Sequence, residues 1–275
     1  MGVAIVTDSA AALPPELVAR HDVVVVPMRL TIGDESIRDG DRDLDELLAA
    51  GTVTTAAPSP GEFEDAMRSR LSDDGVIVLT IASTMSSTFQ SAMVAARAVG
   101  DDVRVVDTET AAGAEALVVL AAAQAASGGG TLDDVEVAAK RVIDQVRLVA
   151  TVPSLDHLVR SGRVPNIAGW AGRRLGISPL FEFRGGKAHP LRPAMSFDAA
   201  LDRIVGFYRR SAPEHGRAHV VALHAQAPDA ARRLLDDATE LAAPVSSFVG
   251  EFGPVMVVHT GPGLVGLAWW WEDDG

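Results

Sequence analysis

Residues 76–92 read VIVLTIASTMSSTFQSA. Val76 to Thr80 form a short strand of the all-apolar kind that is buried on both faces. The segment through Gln90 and Ala92 reads as a helix, and the hydroxyls of Ser83, Thr84, Ser86, Ser87 and Thr88 lie between the two. The same cadence recurs on either side. Val3 to Val6 is a strand ending at Thr7-Asp8-Ser9, followed by a helix that opens at Pro14 and Pro15, where a missing N–H costs nothing. Val23 to Val26 is a strand stopped by Pro27, and Val103 to Val106 is another. Helices near 113–126 and 131–147 close this half, the second from Thr131 with Asp134 as a capping-box-like start. Apolar strands alternating with helices predict a mostly parallel sheet with flanking helices.

The second half has another rhythm. Ser178 to Arg184, Gly185-Gly186 and Ala188 to Arg192 read as a hairpin with a glycine turn. Val255 to Thr260, Gly261-Pro262-Gly263 and Leu264 to Trp271 read as a second hairpin, with helices near 197–211 and 227–240 between them. The expected architecture is α/β in two domains. Residues 1–150 form the N-terminal α/β domain, and 151–275 form an α+β domain with a mixed or antiparallel sheet.

The chain has 275 residues, 48% of them apolar, with 24 basic and 37 acidic side chains and a net charge of −13. So acidic a protein is a poor candidate for nucleic acid, whose phosphates need Lys and Arg. The absence of cysteine excludes disulfides, thiolate metal sites and a Cys nucleophile. Ala116 to Ala123, the longest apolar run in the middle of the chain, is far below the ~20 residues of a membrane span. With no signal peptide at the start, the expected location is the cytoplasm. One stretch opposes the general charge: from Arg160 to Arg192 there are seven basic residues (Arg160, Arg163, Arg173, Arg174, Arg184, Lys187, Arg192) and one acid, Glu182. It reads either as a solvated, salt-bridging face or as a surface for an anion.

Familiar motifs fail on context. Gly261-Pro262-Gly263-Leu264-Val265-Gly266 fits G-x-G-x-x-G, but the nine residues after it leave no room for a helix and a second strand. It reads as a tight turn between strands. His219 and His224 fall on opposite faces of a strand, so a shared metal is disfavoured. No G-x-S-x-G elbow exists. Three hydroxyl clusters remain: Thr52, Thr54 and Thr55; Ser83 to Thr88; and Thr108 with Thr110. Each residue alone reads as a helix cap. Together they would line one edge of a parallel sheet, where helix N-termini favour an anion.

An ordered set of segments resembles the DegV family. Ile5-Val6-Thr7-Asp8-Ser9 with Leu13-Pro14 is similar to its opening motif, and so is Val24-Val25-Val26-Pro27-Met28. Thr54 to Phe63 is similar to T-S-Q-P-S-x-G-E-F, and Ile81 to Ala92 to I-S-S-x-L-S-G-T-Y-Q-S-A. Leu155 through Gly162-Arg163-Val164 resembles L-x-x-L-x-x-x-G-R-I, and His259 to Gly263 resembles H-x-G-P-G. The resemblance implies a two-domain protein holding one long-chain fatty acid between its domains and no cofactor. It implies presentation of the carboxylate to an ATP-dependent fatty acid kinase subunit that makes an acyl phosphate, and it allows transient membrane contact. Thr55, with Thr54 adjacent, and Ser86 would hold the carboxylate, His259 would approach it, and Arg163 would face the kinase subunit. The chain departs from the pattern at Ala56, Ala57, Ala82, Ser87 and Ser178. Two other readings stand beside the carrier. One is a serine acyl hydrolase with Ser86 as nucleophile and His259 as base, oriented by Asp8 or Asp107. The other is a lipid-sensing regulatory protein.

Overall fold

The computed structural model describes residues 2–49, 53–71, 74–164, 177–240 and 243–273. In chain order it begins with β1 (Ala4–Asp8), a 3-10 turn (Ser9–Ala11), α1 (Pro15–Arg20), β2 (Val24–Val26), β3 (Arg29–Ile32), β4 (Glu35–Arg38) and α2 (Leu44–Ala49). It continues with β5 (Val53–Ala56), α3 (Pro60–Arg68), β6 (Val76–Thr80), α4 (Thr88–Val99), β7 (Val103–Asp107), α5 (Ala112–Ser127) and α6 (Leu132–Gln145). The second half holds β8 (Arg147–Thr151), α7 (Asp156–Ser161), β9 (Ser178–Arg184), β10 (Lys187–Ala194) and α8 (Phe197–Ser211). It ends with β11 (Gly216–His224), α9 (Pro228–Thr239), β12 (Ser246–Glu251), α10 (Pro254–Thr260) and β13 (Val265–Asp273).

The mixed α/β architecture matches the expectation. The four strands expected in the first half form one parallel sheet in the order β2-β1-β6-β7. A second, mixed sheet runs β10-β9-β8-β13-β11-β12, antiparallel except for the β11–β12 pair. The β9–β10 hairpin turns through Gly185 and Gly186, both at positive φ (56° and 70°), as a two-residue turn of right-twisting strands requires. Thr131 and Asp134 form the expected reciprocal capping box on α6.

Three features depart from the expectation. β8 enters the second sheet at Arg147, so that sheet begins ahead of residue 150. A small antiparallel sheet, β4-β3-β5, carries Thr54 and Thr55, which therefore do not belong to the parallel sheet. Residues 254–260 form a helix, α10, rather than a hairpin strand. Pro254 sits in its first turn, and Val255, Met256 and Val257 are buried. A short apolar run flanked by Pro and Gly fits a buried helix as well as a strand. The Gly261-Pro262-Gly263 turn accordingly joins a helix to β13.

α5 lies between the two large sheets, packed on β1 and β6 and also on β8, β11 and β13. Its residues 112–120 are all buried and, Glu115 apart, all apolar or glycine, as a helix packed between two sheets requires. One continuous core joins Ile5 and Leu79 of the first sheet to Leu148, Val221 and Leu223 of the second through Leu117 and Val118 of α5. Separate clusters fill the outer faces: α3 and α4 cover the parallel sheet, while α8 and α9 cover the mixed one. The close approach depends on Gly113, where a Cβ would sit 2.8 Å from Cγ1 of Val221. Gly113→Ala is therefore expected to lower stability by about 1–2 kcal/mol, since overpacking outweighs the gain in helix propensity. Urea unfolding checks this; stability equal to wild type would mean that α5 can withdraw from β11 at little cost.

Candidate functional site

A cavity of about 350 Å³ opens at the C-terminal edge of the parallel sheet. Met28, Thr55, Ala56 and Ala57 form one wall, and Ile81, Met85, Ser86 and Ser87 line the loop between β6 and α4. Leu158, Ser161, Arg163 and Val164 come from α7 and the residues after it, and Val255, Met256, His259 and Thr260 come from α10. A second, wholly apolar chamber of about 50 Å³ adjoins it, sharing Met85, Leu158, Val164, Met256 and Thr260. Ala111, Ala112, Leu148, Phe181, Phe183, Leu223 and Phe252 are among the residues that enclose this inner end. A larger groove of about 960 Å³ lies at the opposite end of β1, beside the Arg70–Asp22 ion pair. It has none of the hydroxyl clusters, and the chemistry lies in the smaller cavity.

The structure brings Thr55, Ser86, His259 and Arg163 to this cavity. Thr55 Oγ1 lies 2.7 Å from Nε2 of His259, across 204 residues of chain. Thr54 is exposed, as its neighbour's period-two alternation dictates, and pairs with Thr31 on β3 away from the cavity. Thr52, Arg173 and Arg174 lie outside the described residues. Ser86 Oγ is 2.8 Å from Oγ1 of Thr88 and accepts from Thr88 N–H at 3.3 Å. It thus sits at the positive N-terminus of α4, together with Ser87. Thr108 and Thr110 are buried and not part of the lining. Arg163 is exposed at the rim, where it donates to the Ser161 carbonyl at 2.7 Å and, among the described residues, pairs with no carboxylate. Arg160, Arg184, Lys187 and Arg192 are exposed and do not line the cavity.

Burial, reinforced by the Arg163 charge, holds the His259 imidazole down to about 4. His259 is thus neutral near pH 7, presenting one donor and one acceptor nitrogen. The contacts do not assemble the hydrolase alternative. His259 Nε2 is engaged by Thr55 rather than by Ser86. Asp8 accepts from the N–H groups of Ala10 and Ile81, both at 2.9 Å. Asp107 accepts from those of Ser83 and Glu109. His219 and His224 are both buried on β11, and among the described residues no group of three His, Asp or Glu could hold a metal.

Sequence reading did not find the apolar part of the site: Met28, Met85, Leu158, Val164, Val255 and Met256. Each sits within two residues of a motif position or helix end, but only the fold turns them to one side. Among the departures from the family pattern, Ala56, Ala57 and Ser87 are in the wall, while Ala82 and Ser178 are buried and outside it.

The model of the family described as "Uncharacterised protein, DegV family" matches residues 2–272. A DegV domain-containing protein of Streptomyces coelicolor is 35% identical over 277 residues, covering 96% of this chain and 97% of its own. A protein of Thermotoga maritima named a fatty acid-binding protein is 28% identical over 282 residues, 97% of each chain. The solved structure of a DegV family protein from Thermus thermophilus, described by its fatty acid binding, superposes with a TM-score of 0.90. It is 28% identical and covers 99% of this chain and 100% of its own. Among the described residues, no helix is long and apolar enough to cross a membrane.

The low His259 value has a consequence for stability in the ligand-free protein. Between about pH 6.5 and 4 the unfolded chain protonates this imidazole while the folded chain does not, so its contribution falls as pH falls. Two buried acids act in the opposite sense: Asp8 is pushed up to about 7 and Glu115 well above the usual range, both by burial. The His259 effect is therefore expected in a difference. The stability of wild type minus His259→Gln should drop by about 2 kcal/mol from pH 7 to pH 5. Urea unfolding at the two pH values measures it, and a flat difference would mean that the ring titrates normally.

Proposed function

The chain belongs to the DegV family, and we propose that it binds one long-chain fatty acid and presents its carboxylate to an ATP-dependent kinase subunit. The acid lies between the N-terminal half, built on the parallel sheet, and the C-terminal half, whose mixed sheet begins with β8. The observation that carries this reading is the cavity's division into a hydroxyl- and imidazole-lined mouth and a wholly apolar end. Thr55, Ser86 and His259 hold the carboxylate, and Met85, Met256 and the chamber beyond them take the tail. Arg163 at the rim supplies positive charge and, being exposed, faces the partner. The chain's own role is binding rather than catalysis.

Magnitudes support a lipid rather than a small organic acid. A cavity of roughly 150 Å³ takes benzene, so the chamber of about 350 Å³ takes about 14 non-hydrogen atoms. The inner chamber of about 50 Å³ adds about two more, so both together match the roughly 16 non-hydrogen atoms of a fourteen-carbon acid, and a longer tail must displace Met85 or Met256. Each buried methylene gains about 0.8 kcal/mol, so the tail grosses roughly 11 kcal/mol. Association and ordering remove much of that, leaving micromolar affinity or better.

Delipidated protein is expected to take up one equivalent of a fatty acid of roughly 14 to 18 carbons, read by native mass spectrometry and calorimetry. Thr55→Ala and Ser86→Ala each remove a hydrogen bond to a charged group and should weaken binding about ten- to a hundredfold without abolishing it. Absence of saturable uptake by the wild-type protein would sink the reading. Labelling of Ser86 by a fluorophosphonate would instead favour the hydrolase.

The handover has its own test. Arg163→Ala is expected to lower acyl-phosphate formation with the cognate kinase subunit at least tenfold, about 1.4 kcal/mol, with the tail still bound. Equal turnover would remove Arg163 from that interface. No ATP-dependent product at all would place the protein among lipid sensors.

A further inference from the structure

α10 carries four cavity residues but begins without a cap of its own. Its N-cap is Gly253, which has no side chain, and Pro254 follows with no N–H to offer. The first amide that needs a partner is therefore that of Val255. It finds one far away in sequence: Val255 N–H donates to Oδ1 of Asp39 at 3.0 Å. Gly253 lies so near that a Cβ there would sit 2.9 Å from the other carboxylate oxygen.

That other oxygen is not idle. Ser9 Oγ donates to Asp39 Oδ2 at 2.7 Å, and Ser9 Oγ in turn accepts from Met28 N–H at 3.1 Å. Asp39 N–H donates to the Met28 carbonyl at 2.8 Å. Asp39, through its carboxylate, its backbone N–H and Ser9, thus ties together the end of β1, the β2–β3 link, the end of β4 and the start of α10. Asp39 follows β4, which pairs with β3, and β3 pairs with β5 so that Leu30 lies opposite Thr55. Thr55 therefore rides on the sheet that Asp39 terminates, and His259 rides on the helix that Asp39 caps.

Resting on the fatty-acid reading, we propose that Asp39 is a positioning residue that caps α10 from a distance and thereby holds His259 against Thr55 at the mouth of the cavity. Asp39 is not among the lining residues, so it acts through His259 and not by touching the ligand. α10 has seven residues, about two turns, so displacement at its first amide is carried to His259 in its last turn. Ser9 is the strut that aims the carboxylate. This gives the Thr7-Asp8-Ser9 segment two separate tasks. Asp8 fastens the β6 loop through Ile81 N–H, and Ser9 fastens the cap of α10.

The test follows the His259 ring by NMR through a pH titration of ligand-free protein and measures palmitate binding by calorimetry. The variants are Asp39→Ala, Asp39→Asn and Ser9→Ala, each with and without His259→Ala. Asp39→Ala and Ser9→Ala are expected to move the ring's titration up from about 4 by a pH unit or more, as α10 loosens and the ring gains water. They should weaken palmitate binding about tenfold or more. Asp39→Asn, whose amide oxygen still accepts from Val255 N–H, should stay within about threefold of wild type. In the His259→Ala background the same substitutions should change binding by no more than about threefold, because the residue they act through is gone. A full tenfold loss in that background would show that Asp39 supports the fold at large, and an unmoved titration in folded Ser9→Ala would overturn the proposal. Should Asp39→Ala fail to fold, Ser9→Ala decides, since it leaves the carboxylate in place. If wild-type protein binds no palmitate, the fatty-acid reading falls while the His259 titration still decides the positioning.

Discussion

Helix α5 touches both large sheets at once, and the cavity exists because of how it begins. Apart from Glu115, Gln124 and Ser127 its sixteen residues are apolar, and alanine and glycine dominate its first turns. Small side chains let two sheets approach one helix closely, and the continuous core that results binds the two halves into one packed unit. At the start of the helix the same economy of volume leaves space. Ala111 and Ala112 wall the inner chamber against Phe181, Phe183 and Phe252, and Ala112 enters the helix at a φ of 55°. A bulkier pair at this place would fill that chamber.

Around this core, burial shifts the titration of Glu115, Asp8 and His259. Glu115 is wholly buried on α5, with Oε2 unpartnered among the described residues and Thr7 Oγ1 at 3.4 Å from Oε1. Its pKa is driven well above the carboxylate range by desolvation and by the neighbouring Asp8. Neutral protonation avoids the several kcal/mol that a bare buried charge would cost. Asp8 is raised for the same reason, while its two backbone hydrogen bonds pull the other way. His259 is lowered by burial and by Arg163. Arg163 is the one permanently charged side chain among the described residues of the lining, in a chain whose net charge is −13.

Much of this arrangement was legible in the sequence where periodicity and turn chemistry agree. The parallel strands are short, mostly apolar runs separated by helical stretches, and the β9–β10 hairpin is announced by Gly185-Gly186. Helix α8 begins after Ser196, whose side chain accepts from Ala199 N–H as a cap. The reading failed where one pattern has two solutions. The run from Val255 to Thr260 is too short for periodicity to separate helix from strand, and its cap, Asp39, is 216 residues away. The β4-β3-β5 sheet was missed because its strands are four residues long and half exposed. Thr55, Ser86, His259 and Arg163 were named from motif resemblance, but the Thr55–His259 contact and the apolar lining belong to tertiary structure alone.

The departures from the family pattern then acquire a physical sense. Ala56 and Ala57 stand in the wall where the resembled motif has Ser and Gln, so two polar side chains are missing beside Thr55. Fewer donors make each remaining one matter more, and Thr55 is already engaged by His259. A carboxylate entering this mouth competes for the same hydroxyl and imidazole, and its charge favours the protonated ring that burial and Arg163 disfavour in the empty cavity. On the proposed reading, head-group recognition would rest on an electrostatic exchange among Arg163, His259 and the incoming anion more than on a count of hydroxyls. On that reading the tail would supply the larger energy and the head would decide which end goes in. Such a division would let a surface-exposed arginine influence the acid without gripping it.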